Sequence, residues 1–328
     1  MRGLSLCSAI LAGGSFCCAQ NANPVLLSAG NLNPFPLPVA PGQLLTLFVQ
    51  PAAAISPVST AAVSAIFSTN GSNQPMPILQ VTQTSTGCDF PVAGQCPQVL
   101  AVTVQVPFGI QLYCPVCANS IAPAAQNIAI TINGVASPPV GVQGLANQVH
   151  FLTACDIAVA PSNAFALLNG GLPCSPVVTH SDGRPVSNIL PAQAGEELVA
   201  YATGLGVTNP ALTTGQAAAQ SSPTAATFGI DFNFRANALA TMPGAVGAST
   251  ATPLFTGATK GYIGLYQINF IVPTPPAGLE PCVDNANAAN GVFPVISNLT
   301  ISVGSNYSFD GAGICVQPQP VLDPPAAR

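Results

Sequence analysis

The chain has two histidines, His150 and His180, and histidine is the side chain best suited to moving protons near neutral pH. His180-Ser181-Asp182 offers the three residue types of a nucleophilic triad. The spacing argues against one. In a triad the acid and the nucleophile approach opposite nitrogens of the imidazole and usually come from different elements. No G-x-S-x-G elbow occurs either. Asp182-Gly183 reads instead as a turn before a strand, with His180 and Asp182 as its polar flank.

Other candidates fare no better. Glu196 and Glu197 are adjacent carboxylates, and on a strand neighbours point to opposite faces, so they cannot flank one scissile bond. They fit the wet entrance of a strand beginning at Leu198. Cys114-Pro115-Val116-Cys117 has redox spacing, but thioredoxin-like chemistry needs a helix N-terminus to lower the thiol pKa. Pro107, Pro115 and Pro123 make the region a loop, and a structural disulfide is the reading favoured over redox or zinc. The run from Asp284 to Gly291 has oxygen ligands for calcium, yet a single carboxylate and no EF-hand spacing, so a solvated loop is favoured. There is no Trp to stack on sugars. The five tyrosines are Tyr113, Tyr201, Tyr262, Tyr266 and Tyr307. Tyr262 and Tyr266 are expected to share one face of a strand with Ile268 and Phe270, where core packing accounts for them.

Charge is scarce: 5% of the residues are Asp, Glu, Lys or Arg, against about a quarter in an average chain. No charged residue lies between Arg2 and Asp89. The five basic residues are scattered, which excludes a phosphate-reading patch and so disfavours nucleic acid. No cofactor and no metal are expected, and an enzyme is not expected.

The N-terminus reads as a signal peptide, residues 1–19, with Arg2, an apolar Leu4–Phe16 and small residues before a cut at Gln20. The apolar stretch is too short to span a bilayer, and no later one is long enough. A lipid-anchored cysteine fits poorly behind Ser15-Phe16. Export places the protein outside the cell or at its surface. The signal takes Cys7, Cys17 and Cys18, leaving Cys88, Cys96, Cys114, Cys117, Cys155, Cys174, Cys282 and Cys315 as disulfide candidates. Roughly a hundred connectivities exist for eight cysteines. Neighbour pairing is the simplest, with 282–315 and 155–174 standing apart from the rest and 88, 96, 114 and 117 open to cross-pairing.

These residues must be positioned by strands, because 34 Pro and 30 Gly break the chain before most helices could form. A short helix within 52–67 is the single candidate. Apolar and polar residues alternate at 100–106, 128–133 and 228–235, so each run is expected to bury one face and wet the other. Asn70-Gly71 and Asn133-Gly134 suit two-residue hairpin turns. The halves echo each other: 40–48 resembles 194–201, and 102–107 resembles 267–273. The expected fold is all-β, two tandem immunoglobulin-like antiparallel β-sandwich domains at 24–157 and 176–316. A connector at 158–175 and a Pro-rich tail at 317–328 complete the chain.

The stretches PAQAGEELVAYATGLGVTNPALTTG (191–215) and GYIGLYQINFIVP (261–273) resemble the Solibacter-type C-terminal paralog domain of exported bacterial proteins. VVTHSDGRPVS (177–187) and DGAGICV (310–316) fit the same pattern, and APGQLLTLF, TVQVPFGI and TINGVASPPV look like a divergent upstream copy. The resemblance implies an immunoglobulin-like sandwich of the IPT/TIG kind and no catalytic residues. The functional expectation is a non-catalytic structural or adhesive surface protein capable of self-association. The alternative is a secreted binding module for a polysaccharide or protein, and a hydrolase is remote.

Overall fold

Ile128, Ile130 and Ile132 are buried and the residues between them half-buried, as a period of two requires of a strand with one wet face. The same rule builds nearly the whole molecule. The structure, a computed structural model, describes residues 23–29, 36–53, 55–84, 98–113, 125–154, 156, 175–237, 249–283, 294–304 and 311–320. Among the described residues there is no α-helix. The helix candidate at 52–67 resolves into a 3-10 turn, Thr60–Ala62, capped by the Ser59 hydroxyl, followed directly by a strand.

The first unit contains β1 (Val25–Ala29), β2 (Leu37–Val39), β3 (Leu44–Gln50), β4 (Val63–Thr69), β5 (Ser72–Met76), β6 (Ile78–Thr84), β7 (Val99–Gln105), β8 (Gln126–Ile132), β9 (Val135–Ala136) and β10 (Val140–Gly144). One sheet runs β1-β3-β7-β6 and the other β2-β10-β8-β4-β5, with β9 on β8. All pairs are antiparallel except β2 with β10. The hairpins β4–β5 and β8–β9 turn at Asn70-Gly71 and Asn133-Gly134, and both asparagines have φ near +49°, as the sequence leads one to expect.

The second unit contains β11 (His150–Phe151), β12 (Val178–His180), β13 (Glu197–Thr203), β14 (Ser222–Pro223), β15 (Ile230–Asn233), β16 (Ser249–Ala251), β17 (Phe255–Ala258), β18 (Tyr266–Ile271), β19 (Leu299–Val303) and β20 (Ala312–Ile314). Its sheets are β11-β13-β18-β17-β14, with β12 also on β13, and β16-β15-β19-β20. Each unit is a β-sandwich whose two sheets face a common apolar core. One core spans Leu37 to Val142, the other Val149 to Val316. The chain thus passes into the second core at Val149, and β11 joins the second unit's sheet. At the far end Gln317 is still tied in, its N–H donating to the Ala192 carbonyl at 2.9 Å.

The two units begin and end their central strands alike. In the first, β3 pairs β7, Gly42 N–H donates to Val106 and Val106 N–H to Gln43. In the second, β13 pairs β18, Gly195 N–H donates to Val272 and Val272 N–H to Glu196.

Two alternating runs depart from the expected wet face. Every residue of β7 is buried, including Thr103 and Gln105, and every residue of β15, including Asp231 and Asn233. Gln105 is covered because the second unit packs on it: its Oε1 accepts Gly215 N–H at 2.7 Å. Asp231 accepts the Thr250 hydroxyl from β16.

That contact at Gln105 belongs to a seam between the units. Thr214 Oγ1 accepts Phe108 N–H at 3.1 Å across it. Beside it the joining segment lies on the second unit, where Gln148 N–H donates to Gly204 at 2.8 Å and extends the β11–β13 pairing. Gly204 and Gly206 sit at φ +77° and +86°. A Cβ on Gly204 would stand 1.8 Å from the Gln148 carbonyl oxygen, and one on Gly206 2.2 Å from that of Ala146. Across the seam, a Cβ on Gly264 would meet the Leu44 side chain at 2.6 Å and the Gly42 carbonyl oxygen at 2.9 Å. Backbone packs on backbone there, which only glycine allows.

Candidate functional site

His180 ends β12 and pairs with Leu198, so its ring points to the inner side of the β13 sheet. It is 7% exposed, and not the polar flank of its turn. The turn itself is as expected: Gly183 N–H donates to the His180 carbonyl, and Asp182 accepts the Arg184 N–H at 3.0 Å and its Nε at 2.6 Å. Those Arg184 contacts hold the exposed Asp182 carboxyl below its ordinary pKa. His180 turns away from Asp182 to Glu196, with Nδ1 at 2.6 Å from Oε1 and Nε2 at 3.3 Å from the Leu190 carbonyl. Both ring nitrogens are committed to oxygen acceptors, and neither is offered to a hydroxyl nucleophile. Glu196 also accepts Gln193 N–H at 2.9 Å, closing the turn ahead of β13. This group fastens two turns together.

Glu197 begins β13, one residue earlier than expected, and diverges from Glu196. Its Oε1 accepts Asn269 Nδ2 at 2.9 Å on the outer side of the sheet. The two carboxylates share no substrate position.

A second histidine pair was not anticipated. His150 Nε2 lies 2.9 Å from Asp156 Oδ1, and Asp156 Oδ2 accepts Thr153 N–H at 2.6 Å and its hydroxyl at 3.0 Å. Burial pushes the Asp156 carboxyl up, but the His150 hydrogen bond and charge and the Thr153 bonds outweigh it, and the pKa falls below its ordinary value. No motif spacing announces this pair. Among the described residues no group of three His, Cys, Asp or Glu is placed to hold a metal ion.

Cys282 and Cys315 form a disulfide, Cα to Cα 5.8 Å. Cys88, Cys96, Cys114, Cys117, Cys155 and Cys174, with the redox and zinc readings, lie outside the described residues, as does the run from Asp284 to Gly291.

The tyrosines separate. Tyr266 is fully buried in the second core, its hydroxyl donating to the Gly206 carbonyl, and burial pushes its pKa up. Tyr262 lies outside any strand and is 58% exposed, so the two do not share a face. Their spacing suggested one strand, but Gly264 turns the chain between them.

The outer side of the β13 sheet is the best-developed surface. Leu198, Ala200, Tyr266, Ile268 and Phe270 face the core, so Glu197, Tyr201, Gln267, Asn269 and Ile271 face outward. Tyr201 pairs with Gln267, which pairs with Gly257; Asn269 pairs with Phe255. A Cβ on Gly257 would lie 2.3 Å from the Ser222 carbonyl oxygen and 2.5 Å from Phe255 Cζ, so the half-buried Phe255 ring lies along its strand against the glycine, beside the β14 backbone. Gln267 Nε2 donates to Asn269 Oδ1 at 3.0 Å, and Asn269 in turn donates to Glu197. No helix among the described residues is long and apolar enough to cross a membrane. The chain matches no protein-family model and no curated protein.

Proposed function

We propose that this chain is a non-catalytic, exported structural or adhesive protein of the cell exterior, a rigid pair of related sandwiches. The observation that carries the reading is the seam. Gly264 against Leu44 and Gly42, with the Gln105–Gly215 and Phe108–Thr214 bonds, ties the two sandwiches together, which suits a spacer or adhesive surface. The matched start of β3 with the start of β13, and end of β7 with the end of β18, supports a duplicated domain. It agrees with the resemblance to the Solibacter-type C-terminal paralog domain. The Cys282–Cys315 bond fits an oxidising compartment.

The test is light scattering of the mature protein over a concentration series, together with retention on whole cells or beads coated with it. Concentration-dependent assembly or adhesion supports the reading. A strict monomer that coats and retains nothing overturns it. Turnover on an ester, peptide and glycoside panel, abolished by His180→Ala, would replace it with the hydrolase reading.

A second reading, a polysaccharide-binding module, is favoured by one observation: the aromatic and amide-bearing outer side of the β13 sheet.

A further inference from the structure

We infer that the outer side of the β13 sheet binds an uncharged polysaccharide. This deepens the adhesive reading by naming the ligand class, and it rests on the two-sandwich protein being a binding surface.

Three features of that face point the same way. The first is apolar. Phe255 lies over Gly257, and Tyr201 stands two strands away with Gln267 between them. Neighbouring strands lie about 4.8 Å apart, so the strands carrying the two half-buried rings are roughly 10 Å apart, close to the span of two linked pyranose rings. Aromatic faces take the C–H surfaces of sugar rings.

The second is polar. The Gln267–Asn269–Glu197 ladder runs beside those rings and is internally hydrogen-bonded, so its side chains are held in place before any ligand arrives. Gln267 Oε1 and Glu197 Oε2 carry no hydrogen bond among the described residues, and each is an acceptor for a hydroxyl. An amide both donates and accepts, which matches a hydroxyl, a group that also does both.

The third is charge complementarity. None of β12, β13, β17 and β18 carries Lys or Arg, and the face offers one carboxylate. A phosphate, sulfate or uronate polymer would meet no counter-charge and one repulsion. The occupant that fits is neutral and hydroxyl-rich.

The experiment uses the whole mature protein, purified from an oxidising host. Depletion on suspended cellulose, xylan, mannan, chitin and starch is compared with depletion on pectin, alginate and heparin. The expected result is saturable binding to at least one neutral polymer, with little salt dependence, and none to the anionic ones. Phe255→Ala and Gln267→Ala should each weaken it about tenfold. Tyr262→Ala, exposed but off this face, should leave it unchanged. Melting curves check that each variant is folded. If Phe255→Ala fails to fold, Gln267→Ala and Phe255→Tyr decide, the second retaining binding. The inference is overturned if no neutral polymer binds, if binding is anionic and salt-sensitive, or if folded Gln267→Ala and Phe255→Ala both bind as the parent does. Adhesion without polysaccharide binding would sink this inference alone and leave the adhesive reading standing.

Discussion

Replacing Gly204 by alanine should dislodge from β13 the segment that joins the two sandwiches, and a matched glycine makes the effect measurable. Gly195 and Gly204 have nearly the same backbone, φ +81° and +77°. A Cβ on Gly195 meets nothing within 4 Å, whereas one on Gly204 stands 1.8 Å from the Gln148 oxygen. Gly195→Ala therefore incurs only the penalty of a left-handed alanine, about 1 kcal/mol. Gly204→Ala incurs that too. It adds about 1–3 kcal/mol of overpacking against a backbone that cannot swing aside. Loss of the 2.8 Å bond from Gln148 N–H adds about 1 kcal/mol. The total is about 3–5 kcal/mol, so the difference between the two variants is about 2–4 kcal/mol. Urea unfolding followed by circular dichroism reads both. Equal losses for the two variants would refute a close-packed junction between that segment and β13.

Four further outcomes are expected. The Asp156 carboxyl is held below its ordinary value near 3.8 in the folded protein, so its share of stability is complete above that pH and disappears as pH falls through the lower folded value. His150→Ala leaves burial to push the carboxyl up, and the acid edge of a melting-versus-pH curve should move to higher pH. The Cys282→Ala/Cys315→Ala variant opens a loop of 33 residues and should lose about 3–4 kcal/mol in urea unfolding; an unchanged midpoint would count against that role. His180→Ala should destabilise by about 1–3 kcal/mol, because Glu196 keeps its buried side without its ring partner; a melt identical to the parent would refute the fastening role. Peptide mapping under non-reducing conditions should recover Cys155 joined to Cys174: Leu152 with Val177, Thr153 with Pro176 and Ala154 with Ser175 keep one antiparallel register, and the sequence puts a cysteine next on each side.

Much of the fold was legible because its signals are local. A period of two marks β8, and Asn-Gly at 70–71 and 133–134 needs only its own backbone to specify a hairpin. What escaped depends on distant partners. Gln105 reads as a wet position, and its burial comes from Gly215, 110 residues on. Parity assigns a side chain to a face but does not say what covers that face. The His180–Glu196 contact joins two turns that sequence shows only as separate polar clusters. The Phe255 ring over Gly257 likewise needs the register of β17 against β18 before Tyr201 and Phe255 are seen on one surface.

The seam also sets the far end of the second sandwich apart from the first. The first unit meets the second with the residues that open β3 and close β7, Gly42, Leu44 and Gln105 among them. The corresponding end of the second unit, where β13 opens and β18 closes, presents Gly195, Glu196 and Glu197. That end is charged, and Glu197 is exposed. A third sandwich added in the same manner would have to strip water from a carboxylate with no cation to receive it. Repeating the seam at that end would therefore cost the desolvation of Glu197.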